Sequence, residues 1–192
     1  MLVSVASGLI SVTGTRKETG MQSVIDAAER VYHRNSEGSA VLVRPVSPED
    51  AEGLRRMLSR LSRESIHLRF HAPLPRAPEW AVAMFANSDR RYGESLVAVA
   101  SGEIVGHAMY ARQDGGDVAE FAIVVEDRCQ DRGIGKMLLS ALAEKAVSEG
   151  VKCFTGAVLG ENRRMFGLVR SVFERVGYAM EEGAYAVSVP LP

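Results

Sequence analysis

Apolar residues recur in this chain with two periods, and the switches between them mark its elements. Val41-Leu-Val-Arg-Pro-Val46, Ser95–Ala100, Glu103–Tyr110 and Asp117–Val125 are short and rich in β-branched residues, which predicts four strands. Ser101-Gly102 is a hairpin signal between the second and third strands, and Gln113–Asp117 makes the next turn. After the first strand, Ser47 offers an N-cap, Pro48 a first helical residue and Glu49-Asp50 a first-turn acid pair. That helix is expected to run to about Leu61, with a second short one over 62–71. Pro73, Pro75 and Pro78 then break the chain before a third helix, Glu79–Asn87. Ile66, Leu68 and Phe70 are expected in the core, and Arg63 and Arg69 in solvent or in ion pairs.

The period turns helical again over Ile134–Glu149, where Gly150 supplies the stop. Val151–Val158 predicts a fifth strand, reached by a helical crossover and therefore parallel to the fourth. Gly160-Glu161-Asn162 opens a last helix, carried to about Val176 by Met165, Leu168, Val169, Val172 and Phe173, with Gly177 just past its end. Tyr178–Met180 and Tyr185–Val189 supply the closing strands. Upstream, Met21, Val24, Ile25, Ala28, Val31 and Tyr32 recur at helical spacing, with Gln22, Asp26, Glu29 and Arg30 on the other face. This amphipathic helix must bury its stripe on the domain, on a partner copy in a homodimer, or on both. Asn35–Ser39 reads as a linker. Residues 1–40 are thus an N-terminal extension, and 41–192 one domain.

Composition narrows the function classes. With 23 Lys and Arg against 24 Asp and Glu, the net charge is −1, and no cation excess is available to displace counterions from nucleic acid. Met1–Val12 is apolar but lacks a basic leading segment and is interrupted by Ser and Gly; it is far short of the roughly 20 residues that span a bilayer. Only Cys129 and Cys153 are present, far apart, and they read as buried free thiols in a cytoplasmic protein. Neither they nor the four histidines have metal-ligand spacing, so no metal is expected.

The chemistry concentrates in Ile123-Val-Val-Glu-Asp-Arg-Cys-Gln-Asp-Arg-Gly-Ile-Gly-Lys136, where a strand stops, two glycines sit two apart and a helix begins. Amides at a helix start have no intrahelical acceptor, and the helix dipole adds positive charge, so such a bend suits an anion. Gly133 and Gly135 let backbone approach a phosphate closely, and Arg128, Arg132 and Lys136 bring cations. A P-loop is excluded, because Gly-x-x-x-x-Gly-Lys-Ser/Thr is absent; the third glycine of the dinucleotide fingerprint is also missing. From the glycines alone, a plain turn and a phosphate site stand level.

Gln130-Asp-Arg-Gly-Ile-Gly135 resembles the Gln/Arg-x-x-Gly-x-Gly/Ala motif of the GNAT superfamily of N-acetyltransferases, and it lies between a strand and a helix as it does there. The resemblance runs from about Val41 to the C-terminus. It implies an α/β (α+β) fold: a mixed, mostly antiparallel sheet of six to seven strands, helices on both faces, and strands four and five splayed. It also implies acetyl-CoA as co-substrate. Gln130, Asp131, Arg132, Gly133, Ile134, Gly135 and Lys136 would hold the pyrophosphate. Amides at Ile123, Val124 and Val125 would hold the pantetheine arm, one of them polarising the thioester, and Asn162 would contact the cofactor; as a residue alone, Asn162 is equally a plain helix start. Leu61-Ser62 and Arg69-Phe70 resemble a segment of one GNAT branch, the catalytic domain of bacterial protein lysine acetyltransferases, including those that act on acyl-CoA synthetases.

Glu120 interrupts an apolar strand, Val118-Ala-Glu-Phe-Ala-Ile123. A lone acid there either faces solvent or acts as a base, and several protein acetyltransferases of the superfamily carry a catalytic glutamate in a similar context. A lysine amine with pKa about 10.4 needs roughly 4–5 kcal/mol to lose its proton at pH 7, so a base is useful. The tyrosine that many members place on the last helix is missing; the nearest residue is Phe173, so the thiol leaves as thiolate or takes a proton from water. Also, the spacing from Asn162 to Gly177 is about one helical turn longer than usual. The acceptor expected from these features is a protein lysine, with a small amine as the alternative. A non-catalytic acyl-CoA-binding sensor is the reading outside enzymes. His107 lies on a strand that could border the cleft.

Overall fold

The structure, a computed structural model, describes residues 31–86, 93–112, 115–181 and 183–192. One sheet organises them. Its strands are β1 (Val31–Arg34), β2 (Ala40–Pro45), β3 (Gly93–Ala100), β4 (Glu103–Arg112), β5 (Val118–Val125), β6 (Cys153–Leu159), β7 (Gly177–Glu181) and β8 (Ala184–Pro190), in the order β1-β2-β3-β4-β5-β6-β8-β7. Every neighbouring pair is antiparallel except β5–β6, as the crossover predicts. Ser101 (φ 51°) and Gly102 (φ 78°) close the β3–β4 hairpin, both left-handed as a type I′ turn requires.

Helices cover both faces. α1 (Ala51–Ser59), α2 (Arg63–Phe70) and α3 (Glu79–Phe85) pack on one face through Leu54, Met57, Ile66, Phe70 and Phe85, against Val97, Ile104 and Val124 of the sheet. α4 (Ile134–Ser148) and α5 (Arg163–Val172) pack on the other through Leu138, Leu139, Leu142 and Val169, against Leu96, Ala98, Phe121 and Phe154. Alternation along each strand divides the apolar residues between the two cores, as at Leu96, Val97 and Ala98. Before α1, Pro48–Asp50 forms a single 3-10 turn, and Asp50 accepts from the Ser47 amide at 2.8 Å and from Arg44 Nη1 and Nη2 at 2.7 Å each.

Three expectations are corrected. Among the described residues the sheet has eight strands rather than six or seven, and β1 is the addition. Val31 and Tyr32, expected to end an amphipathic helix, pair instead with Val43 and Leu42 of β2, while Met21, Val24, Ile25 and Ala28 of that stripe lie outside the described residues. Asn35–Ser39 is therefore no linker but the turn of the β1–β2 hairpin. Its Gly38 amide donates to Asn35 O at 2.9 Å, and Asn35 Oδ1 accepts from the Glu37 and Ser39 amides. Finally, α5 stops at Val172: Phe173 is extended (φ −117°, ψ 135°), and Gly177 opens β7 opposite Ser188. Phe173 and Val176 still pack on the core, so their helical spacing was coincidence with an extended segment's contacts.

Candidate active site

β5 and β6 pair over three residues, Val118 to Glu120 against Cys153 to Thr155, and then part company. From Phe121 to Val125 the β6-facing edge of β5 no longer meets a strand, which leaves backbone N–H and C=O groups there for an extended ligand. A groove of about 510 Å³ opens along this edge, between α2 on one side and α5 on the other. Of the residues expected at the cofactor, Ile123, Val124, Val125, Gln130, Asp131, Gly133, Gly135, Lys136 and Asn162 line it. Arg132 and Ile134 do not. Ile134 is 2% exposed in the core, and Arg132 turns outward to Glu37, Nη1 to Oε2 at 2.8 Å.

The bend at the groove's outer end has the geometry of an anion site. Asp131 (φ 58°) and Gly133 (φ 82°) are left-handed on either side of Arg132, and such alternation turns successive N–H groups toward one concave side. The first turn of α4 follows, with amides free of intrahelical acceptors. Gly135 serves packing as well: a Cβ there would lie 3.2 Å from Leu168 Cδ2 of α5. Lys136 and Arg164 line the same end, and Arg164 Nε stands 3.6 Å from Asp131 Oδ2. These donors fit the diphosphate of a nucleotide cofactor. Asn162 starts α5, where its side chain caps the helix by accepting from the Met165 amide at 3.1 Å, and it also lines the groove.

The bend is tied to α2. Asp127 accepts from the Ser62 amide (2.9 Å), Ser62 Oγ (2.6 Å) and Ser65 Oγ (2.9 Å), while Gln130 Nε2 donates to Val125 O (3.0 Å) and Ser65 Oγ (3.2 Å). Partial burial would raise the Asp127 carboxyl, but the Ser62 and Ser65 hydrogen bonds outweigh it and hold the group below its ordinary range. Next to it, Glu126 is 2% exposed between Arg60 Nε at 2.9 Å and Arg128 Nε at 2.5 Å. Gln130 and Arg128 are thus struts of the bend.

At the groove's inner end a smaller pocket of about 60 Å³ holds Glu120, at the residue where β5 and β6 separate. Arg69 of α2 and His71, just past its end, share it with Leu68, Phe121, Ala122, Ile123, Ala157, Asn162 and Met165. Arg69, expected in solvent or in an ion pair, is withdrawn from solvent. It is 9% exposed, with Cζ 5.1 Å from the centre of the Phe85 ring and 5.3 Å from that of Phe70, and its Nε has no hydrogen-bond partner among the described residues. Burial pushes its pKa down to about 10, partly offset by attraction to Glu120, so it stays charged at pH 7. His71, in a left-handed cap conformation (φ 52°), is lowered by burial first and then by Arg69 and His67, and is neutral at pH 7. Ile66 and Phe70 are core, as expected, whereas Leu68 lines the groove.

His107 borders neither cavity. It is fully buried, stacked 4.0 Å from the Phe85 ring, with Nε2 2.7 Å from Ser95 Oγ, and burial followed by the Arg69 charge pushes it down to about 3. Cys129 and Cys153 are free and half-buried. Among the described residues no group of side chains could hold a metal ion, and no helix is long and apolar enough to cross a membrane.

A mixed sheet that splits after its parallel pair, with an anion bend at the mouth of the split, defines an acyltransferase-type α/β architecture. The chain belongs to the acetyltransferase (GNAT) family, whose model matches residues 57–178. It is 31% identical over 145 residues to Acetyltransferase Pat of Mycolicibacterium smegmatis, covering 73% of this chain and 41% of that protein. The chain therefore spans less than half the length of that relative. Its structure resembles the GNAT domain of S. lividans PAT (TM-score 0.79, 29% identity, covering 86% of this chain and 98% of that one). It also shares the fold of yncA from Salmonella typhimurium, a putative acetyltransferase solved with acetyl-CoA (TM-score 0.61, 17% identity, 79% of this chain and 94% of that one).

Proposed function

We propose that this protein moves an acetyl group from acetyl-CoA to an amine, and that the amine is a protein lysine. The observation that carries the reading is adjacency: the groove from the anion bend along the parted edge of β5 shares Leu68, Arg69, Ile123, Asn162 and Met165 with the smaller pocket that holds Glu120. The bend would take the diphosphate, and the edge amides at Ile123–Val125 the pantetheine arm and the thioester carbonyl. Acetyl-CoA on the shared fold of the Salmonella protein supports the donor, and likeness to proteins named Pat supports a protein acceptor.

In this reading Glu120 takes a proton from the incoming ammonium, directly or through one water. The neutral nitrogen attacks the thioester carbonyl, the C–N bond forms, the C–S bond breaks, and coenzyme A leaves as thiolate. No acyl-enzyme is involved. Arg69 helps by making the pocket unfavourable for a second positive charge, which favours loss of the amine proton. A densely acidic pocket would favour a polyamine; among the described residues that line this pocket, Glu120 is the one acid, beside a guanidinium and a neutral His71.

Calorimetric titration with acetyl-CoA, followed by mass spectrometry of an acyl-CoA synthetase incubated with protein and donor, tests both steps. Binding heat with acetyl groups on synthetase lysines is the expected result. Heat without transfer to any protein or small amine would leave a sensor, and no heat would remove the donor site itself.

A further inference from the structure

β1 and its turn reach the anion bend. The Ser36 amide donates to Arg132 O at 3.1 Å, and Glu37 Oε2 accepts from Arg132 Nη1 at 2.8 Å, across 95 residues of sequence. The first contact matters because of what shares its peptide. A trans peptide is planar, so the carbonyl of Arg132 and the N–H of Gly133 point in opposite directions. Fixing Arg132 O on the hairpin therefore aims the Gly133 N–H away from it, on the side where Gly133 lines the groove. Free of that contact, the peptide could rotate, since Gly133 has access to most of backbone space.

We propose that the β1–β2 turn is a positioning device for the anion bend. Ser36 holds the Arg132–Gly133 peptide with its N–H toward the groove, and Glu37 holds the Arg132 side chain in the same dock. The proposal rests on reading the groove as an acyl-CoA site. It also accounts for two features left unexplained by that reading: a strand added to the sheet beside β2, and an arginine in the bend that turns away from the groove.

The turn supplies its own test. The Gly38-to-Asn35 bond makes Ser36 the second residue of a β-turn, where proline is favoured, and Asn35 directly follows β1 rather than sitting in a helix, which suits a residue before proline. Ser36→Pro therefore deletes one N–H while keeping the turn; Ser36→Ala keeps the N–H and is the control. Dissociation constants on the full chain are measured for acetyl-CoA and, by competition, for S-acetylpantetheine, which has no diphosphate. Ser36→Pro should weaken acetyl-CoA about five- to tenfold, the scale of one hydrogen bond, with S-acetylpantetheine and the melting temperature nearly unchanged. Ser36→Ala should match the native protein. Glu37→Ala should weaken acetyl-CoA less, about two- to threefold, with Glu37→Asp recovering part of the loss.

Equal acetyl-CoA affinity in native and Ser36→Pro proteins overturns the proposal, as does a parallel loss for both ligands. Should Ser36→Pro not fold, Glu37→Ala with native affinity overturns it. A native protein that binds no acetyl-CoA removes the site reading instead.

Discussion

The two ends of the groove are built from different materials. At the outer end, Asp131, Gly133, Gly135 and Lys136 come from one short segment whose main chain shapes the bend, and side chains such as Gln130 and Arg132 mostly brace it. At the inner end, Glu120 of β5, Arg69 of α2, His71 just past it and Asn162 before α5 converge from separate parts of the chain. A backbone site tolerates most side-chain changes but not a change in main-chain conformation. A side-chain site behaves the opposite way, and mutations at the two ends should therefore fail differently.

The largest effect is expected at the inner end. Glu120→Gln should lower kcat about 10²–10⁴-fold and leave the acetyl-CoA dissociation constant within twofold, read by steady-state kinetics and calorimetry. If activity survives, neutral His71 in the same pocket takes over as the base to examine. At the outer end, Gly133→Val places a β-branched residue at φ 82°. The strain, about 1–3 kcal/mol, should appear as roughly 10- to 100-fold weaker acetyl-CoA binding, with kcat at saturation little changed.

A third variant sharpens the contrast from beneath the inner end. The His107 ring is pushed down to about 3 by burial and by Arg69, against an ordinary value of 6.5 in the unfolded chain. Between those values the unfolded chain binds a proton that the folded one does not. Stability conferred by the neutral ring is therefore complete above about pH 6.5 and declines on acidification, by about 1.4 kcal/mol per pH unit. Urea unfolding at pH 7, 6 and 5 should show a slope shallower by that amount in His107→Leu.

This division also explains what could be read from sequence. The bend was legible because its glycines, its strand and its helix are contiguous, and the requirement for left-handed backbone is local. Glu120 was legible as an acid within an apolar strand, although nothing local says that it stands where β5 and β6 diverge. The burial of Arg69 was not legible, because its place against Phe70 and Phe85 is a matter of how α2 and α3 pack. β1 was missed since Val31 and Tyr32 continue a helical stripe, and only pairing with β2 makes them a strand. The end of α5 was overrun for a related reason: Phe173 and Val176 reach the core from an extended segment.

One knot joins the two ends. Asp127, three residues before Gln130, is gripped by both serines at the start of α2, the helix that carries Arg69 and ends at His71. Whatever rigidity a bound diphosphate gives the bend is thereby passed to the wall on which an acceptor would land. Thermodynamic reciprocity then requires the traffic to run both ways: an acceptor that steadies the wall must tighten the donor by the same factor.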